Sequence, residues 1–232
     1  PPAHPRPPVQ TYHGAWCWDY LRPELERRGC ATVAIDLPAE DPDAGAEQYA
    51  AAVVRALPAE TDPVVVVGHS LGGLTIPLLP ALVAVERLVF LCALVPQPGL
   101  SFDGQRADMD SGYVPSEGAR ANPDGSASWP LCGAIEVFYH DCPQEIATWA
   151  ASRLRSQHWT ITREITPLRS WPATPVTSIV ARDDRVLAPA YGRTLANERL
   201  GVEALVIGGG HSPFLSRSAE LADMLVRVAG VR

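Results

Sequence analysis

The chain has 232 residues, a formal net charge of −7, 47% hydrophobic and 19% charged residues, a balance too apolar for a disordered chain. An acidic chain with no basic stripe cannot neutralise a phosphate backbone, so nucleic acid is not an expected partner. All 19 basic residues are arginine, which removes lysine chemistry, and the length suits one domain with room for an insertion.

The N-terminus has no charged region followed by an apolar segment, so no signal peptide is read and a cytoplasmic chain is expected. Trp16 to Gly29 carries apolar residues at helical spacing and a closing glycine, which predicts a helix. Ala31 to Leu37 is a β-branched run and predicts a strand. Gly45 to Leu57 predicts an amphipathic helix, Pro63 to Val67 a strand with valine on both faces, Leu71 to Glu86 a third helix, and Leu88 to Val95 another strand. Strands apolar on both faces that alternate with helices indicate an α/β domain, a mostly parallel sheet covered by helices on both faces. Leu74 to Val85, the longest largely apolar stretch, is broken by Pro77 and Pro80. It falls far short of the roughly 20 residues that span a bilayer, so no membrane partner is expected.

After Pro96 the pattern lapses into a glycine-, serine- and aspartate-rich stretch up to about Pro130, followed by a helical segment, Pro143 to Gln157. The expectation is an insertion, 97–172, lying over the sheet as a helical lid, with 1–96 and 173–232 forming the core. A strand at Pro175 to Ala181, a helix at Ala190 to Leu200, a strand at Glu203 to Ile207 and a helix at Pro213 to Val228 close the domain. The five cysteines, Cys17, Cys30, Cys92, Cys132 and Cys142, have no metal-ligand spacing and read as small buried hydrophobes. No metal and no cofactor is expected.

Chemistry concentrates at "VVVVGHSLGG", Val64 to Gly73. Four valines followed by Gly68-His69-Ser70-Leu71-Gly72 and a helical pattern place Ser70 on a sharp strand-to-helix turn, the nucleophile elbow. Glycines suit a turn where strand and helix approach closely. The Leu71 N–H at the helix start could then stabilise developing negative charge. A serine hydroxyl needs a base to accept its proton, and that base needs an orienting carboxylate. "GGGHSPFLS" supplies His211 after the last strand, and "ARDDRVLAP" supplies Asp183 and Asp184 after the strand before it. Asp184 is favoured, with Asp183 or a purely turn-capping pair as the alternatives. His69 is read as packing beneath the elbow, His140 and His158 as part of the insertion, and His4 as tail.

With these residues in place, the chain resembles α/β-hydrolases of the branch that contains plant methyl esterases and hydroxynitrile lyases, with bacterial esterase relatives. The matching motifs are the elbow, "HGAWCW" (His13 to Trp18), "DLP" (Asp36 to Pro38), "DDRVLAP", "GGGHSPFLS" and the segment Phe138 to Leu154. The resemblance implies an α/β-hydrolase fold, Asp184 as the catalytic acid, and an oxyanion hole formed by the N–H groups of Leu71 and Thr11. Two departures stand out. The lyases carry a lysine after the catalytic histidine, whereas Ser212 holds that place here, which disfavours lyase chemistry. Ahead of "HGAW" the chain reads "RPPVQTY", and prolines at Pro5, Pro7 and Pro8 remove ladder N–H groups that a central strand needs. The first strand is therefore expected to be displaced or lost, unless the N-terminal sequence itself is altered.

The leading expectation is a serine carboxylesterase that cleaves a small ester through an acyl-enzyme. Trp129, Phe138 and Trp149 either wall an apolar substrate pocket or form the core of the insertion. The rival is a small-molecule binding protein that kept the pocket without turnover. Dehalogenase or epoxide hydrolase chemistry would place aspartate at the elbow, where this chain has Ser70. A homodimer is left open.

Overall fold

The structure, a computed structural model, describes residues 5–9, 12–58, 62–106 and 118–230. Strand β1 (Pro5–Val9) is followed by a 3-10 turn (Ala15–Trp18) and helices α1 (Leu21–Glu26) and α2 (Ala46–Ala56). Next come β2 (Val64–His69), two 3-10 segments (Ser70–Leu74 and Ile76–Ala81) and β3 (Val85–Leu91). Segment 97–172 holds α3 (Phe102–Arg106), a two-stranded ribbon of β4 (Arg120–Ala121) and β5 (Ala127–Ser128), α4 (Leu131–Phe138), α5 (Gln144–Ala151) and α6 (Thr160–Arg163). The chain closes with β6 (Val176–Ala181), α7 (Pro189–Leu200), β7 (Leu205–Ile207), α8 (Pro213–Ser216) and α9 (Ser218–Val228).

Five strands form one parallel sheet in the order β1-β2-β3-β6-β7. Its two faces feed separate cores, because successive residues of a strand point to opposite sides. Val65 and Val67 of β2 join Val89, Leu91, Ile179, Ala181 and Ile207 in one cluster, beneath Leu221 and Leu225 of α9. Val64 and Val66 join Leu88 and Phe90 in the other, against Tyr49 and Val53 of α2. The valine run is thus buried on both faces, as parallel strands require. Among the described residues no helix is long and apolar enough to cross a membrane.

Three expectations change. The first strand is present and pairs in parallel with β2, with an irregular register between Pro5 and Pro8. Proline is tolerated because β1 is the outermost strand of the described sheet, where N–H groups on the outer side serve no ladder. Ala31 to Leu37 forms no strand. Its side chains alternate between the two cores, Ala34 in one and Val33, Ile35 and Leu37 in the other, but the segment joins no ladder. A proline-rich edge such as β1 offers few N–H groups to pair with. The stretch after Ser70 is two 3-10 segments rather than an α-helix, since Pro77 and Pro80 cannot donate and clash with the preceding turn.

Candidate active site

The sheet's carboxyl edge collects the candidate residues. His69 ends β2 opposite Leu91, which ends β3, so Ser70 and Cys92 leave the sheet side by side. Both have left-handed backbones, Ser70 at φ 51° and Cys92 at φ 46°. A conformation that costs a non-glycine residue about 1 kcal/mol or more persists only where its surroundings enforce it. At Ser70 the enforcement is visible. The Leu94 N–H donates to the Ser70 carbonyl at 3.0 Å. A Cβ on Gly68 would lie 2.9 Å from Ile76 Cγ2, and one on Gly73 would overlap the Leu94 carbonyl oxygen. The glycines of this turn are therefore steric necessities, and the serine is left half-buried at the rim.

His211 lies in the loop between β7 and α8, 1% exposed. Its Nδ1 donates to Asp184 Oδ2 at 2.8 Å, and both side chains are almost fully buried. Asp184 Oδ1 accepts from the N–H groups of Val186 at 2.7 Å and Leu187 at 3.0 Å. Three donors thus fix the carboxylate of Asp184. Asp183 instead uses its main chain, accepting from His140 Nε2 at 3.1 Å and donating its N–H to Gly209. Of the two adjacent aspartates, Asp184 is the one that the structure joins to His211. His211 Nε2 is buried and has no hydrogen-bond partner among the described residues. The Ser70 hydroxyl is therefore not hydrogen-bonded to it in this conformation.

Ser70 and His211 are linked through His69. His69 is fully buried, its ring centre lies 4.5 Å from that of His211, and its Nε2 donates to the His211 carbonyl at 2.8 Å. Burial, with His211 and His13 nearby, holds the His69 pKa well below the usual histidine value, so the ring is neutral. His13, from "HGAW", stands 5.9 Å from His69 and shares a 2.7 Å hydrogen bond with Tyr139. The reading of His69 as a packing residue beneath the elbow misses its role as a tether. The donor itself was not legible, because buried packing and buried hydrogen bonding give the same sequence signature.

The remaining candidates separate. The Leu71 side chain is buried in the 3-10 turn after Ser70, and Thr11 lies outside the described residues. The Phe138 ring centre is 6.0 Å from that of His211, and Trp129 meets Phe138 edge-on at 4.8 Å. Trp149 packs elsewhere, against Trp16 at 5.2 Å and Tyr20 at 5.9 Å. Cys17, Cys30 and Cys92 are buried, as small hydrophobes should be, but Cys132 is exposed and Cys142 half-buried. Ligand atoms of Cys92, Asp184 and His211 lie within 4.8 Å of one another, the donor types of a metal site. Asp184 and His211 are already committed to each other by their hydrogen bond.

A family model described as "Alpha/beta hydrolase family" matches residues 11–224. The chain belongs to this family. Methylesterase 3 of Arabidopsis thaliana is 25% identical to this α/β-hydrolase over 245 residues, covering 94% of this chain and 92% of the relative. The probable esterase PIR7A of Oryza sativa subsp. indica is 27% identical over 259 residues, with 94% and 93% covered. Among solved structures, polyneuridine aldehyde esterase superposes with a TM-score of 0.80 at 19% identity, covering 98% of this chain and 99% of that one. The pyrethroid hydrolase PytH gives 0.78 at 21% identity, with 99% and 98% covered. These structures share the α/β-hydrolase fold with this chain, and the relatives it is similar to include plant methylesterases and an α-hydroxynitrile lyase.

Proposed function

We propose that this α/β-hydrolase is a serine carboxylesterase that cleaves small esters through an acyl-enzyme intermediate. The observation that carries the reading is the buried His211–Asp184 pair with an unpartnered Nε2, beside a half-buried serine in a left-handed turn. His211 Nε2 accepts the Ser70 proton as the hydroxyl attacks the ester carbonyl. The Leu71 N–H holds the oxyanion, and His211 returns the proton to the departing alcohol. Water then attacks the acyl-enzyme with His211 again as base. Asp184 keeps Nδ1 protonated and stabilises the imidazolium that forms at each step. Segment 97–172 acts as a lid, with Phe138 and Trp129 walling an apolar subsite next to His211. Names of relatives such as the methylesterases support a small ester as substrate.

A fluorophosphonate probe is expected to label the parent covalently and to leave Ser70→Ala unlabelled, and short p-nitrophenyl esters are expected to be hydrolysed only by the parent. Equal hydrolysis by purified Ser70→Ala would overturn the reading. The second reading, a ligand-binding module without turnover, draws on the absent Ser70–His211 hydrogen bond. Such bonds commonly tighten only once substrate is bound. A parent that resists the probe yet gains thermal stability from an ester analogue would favour the binder.

A further inference from the structure

Cys92 belongs to the buried core cluster on one face of the sheet, beside the His211–Asp184 pair. It is 1% exposed and follows β3 directly, with its N–H donating to the Ile179 carbonyl at 2.8 Å. Its left-handed backbone, φ 46°, is not the choice of a residue with turn chemistry, since neither glycine nor asparagine stands there. This backbone carries Sγ to the sheet's carboxyl edge, where it comes within 4.8 Å of a ligand atom on both Asp184 and His211. Oδ2 of Asp184 accepts from His211 Nδ1, and a carboxylate oxygen can accept a second hydrogen bond. Burial, reinforced by the charge of Asp184, pushes the Cys92 thiol well up, so it is a neutral S–H group with a proton to give.

The geometry points to Cys92 as a positioning residue that donates its S–H to Asp184 and so sets how strongly the carboxylate holds His211. The inference rests on the proposed esterase reading. A donor to Asp184 spreads its charge, which weakens its pull on an imidazolium at His211. The other titratable groups around the pair include His69 from the end of β2, His13 and Tyr139 behind it, and His140, Asp141 and Cys142 from the turn after α4, His140 donating to the Asp183 carbonyl. None of these is altered in the variants below.

Cys92→Ala and Cys92→Ser separate this role from packing. Without a donor, Cys92→Ala is expected to move the rising limb of kcat/KM up by about half a pH unit. Cys92→Ser, with a stronger donor in the same place, is expected to leave the limb in place or move it down. Loss of packing gives both variants a lower melting temperature but cannot displace the limb in opposite directions. The downfield proton signal of His211 Nδ1–H, titrated without substrate, reads the same displacement if either variant turns over too slowly. Fluorophosphonate labelling of the parent is run alongside. An unlabelled parent defeats the hydrolase reading, whereas a labelled parent with coincident Ala and Ser profiles overturns the role of Cys92 alone. If Cys92→Ala fails to fold, the profile of Cys92→Ser decides, and a limb moved upward sinks the proposal.

Discussion

His69 follows Gly68 and precedes Ser70, yet its hydrogen bond goes to a residue 142 positions away, the carbonyl of His211. A carbonyl only accepts, so the proton sits on Nε2, and Nδ1 is left buried without a partner among the described residues. Its pKa is depressed in the folded chain, chiefly by burial, while in the unfolded chain it titrates near the reference value of about 6.5. Below that pH the unfolded chain takes up a proton that the folded chain refuses. Stability is therefore full above about pH 6.5 and falls as pH drops towards the depressed folded value, by up to about 1.4 kcal/mol per pH unit. His69→Gln keeps an N–H donor but has no proton to gain. Urea unfolding between pH 7.5 and 5.5 should show a shallower pH dependence in this variant, and an unchanged slope would sink the assignment. At this scale the places of Ser70, Asp184 and His211 after β2, β6 and β7 were legible, because apolar runs mark the strands and polar residues at their ends have no packing reason to be there. His69 and Cys92 were not, since a buried side chain at a strand end looks the same whether it fills space or donates a bond.

Helix α2 begins at Ala46 without a serine, threonine or aspartate cap. Its first turn is satisfied from outside, by Glu164, the residue after α6, whose Oε1 accepts the Ala46 N–H at 2.6 Å. Glu164→Ala removes this cap and should lower stability by about 1 kcal/mol in thermal or urea unfolding. A variant as stable as the parent would mean that water replaces the carboxylate at no cost. The loop before His211 depends on a different device. Gly209 has φ 84°, and a Cβ there would collide with Asp141 Oδ2. Gly209→Ala adds backbone strain and displaces Asp141, so it should cost about 1 to 3 kcal/mol. A melting temperature within a degree of the parent's would contradict this contact. Periodicity located most elements because valine runs and amphipathic stretches carry their own burial pattern. It failed at Leu71 to Glu86, where an apolar spacing that suits an α-helix is overridden by two prolines. It failed again at β1, where proline content argued against a strand although position at the sheet's edge makes it tolerable. Edge and centre are properties of the assembled sheet, and a short segment cannot reveal which it will occupy.

At the scale of the whole molecule, a 232-residue chain with the long segment 97–172 between β3 and β6 would ordinarily invite stepwise unfolding, since single transitions are typical of domains below about 150 residues. The contacts of segment 97–172 with α2 and with the loops around Tyr12 and Ala39 argue otherwise. The Arg155 N–H donates to the Tyr12 carbonyl at 2.7 Å and the His158 N–H to the Ala39 carbonyl at 2.9 Å, while Gln157 Nε2 donates to the Tyr49 hydroxyl at 3.0 Å. Arg155 also pairs with Glu40, and Glu164 caps α2. Gln157 is wholly buried and Tyr49 1% exposed, so parting the two segments would strip buried polar groups of partners, at about 1 to 3 kcal/mol each. The tryptophans provide separate views, because Trp129, Trp149, Trp159 and Trp171 lie in the segment while far-UV circular dichroism follows helices throughout the chain. Fluorescence and circular dichroism should therefore report one urea midpoint in the parent. In the double variant Gln157→Ala/Glu164→Ala, two of these ties are cut, and the fluorescence change should come at lower urea than the loss of helix. Separate midpoints already present in the parent would mean that segment 97–172 folds as a unit of its own and can part from the rest of the chain without unfolding it.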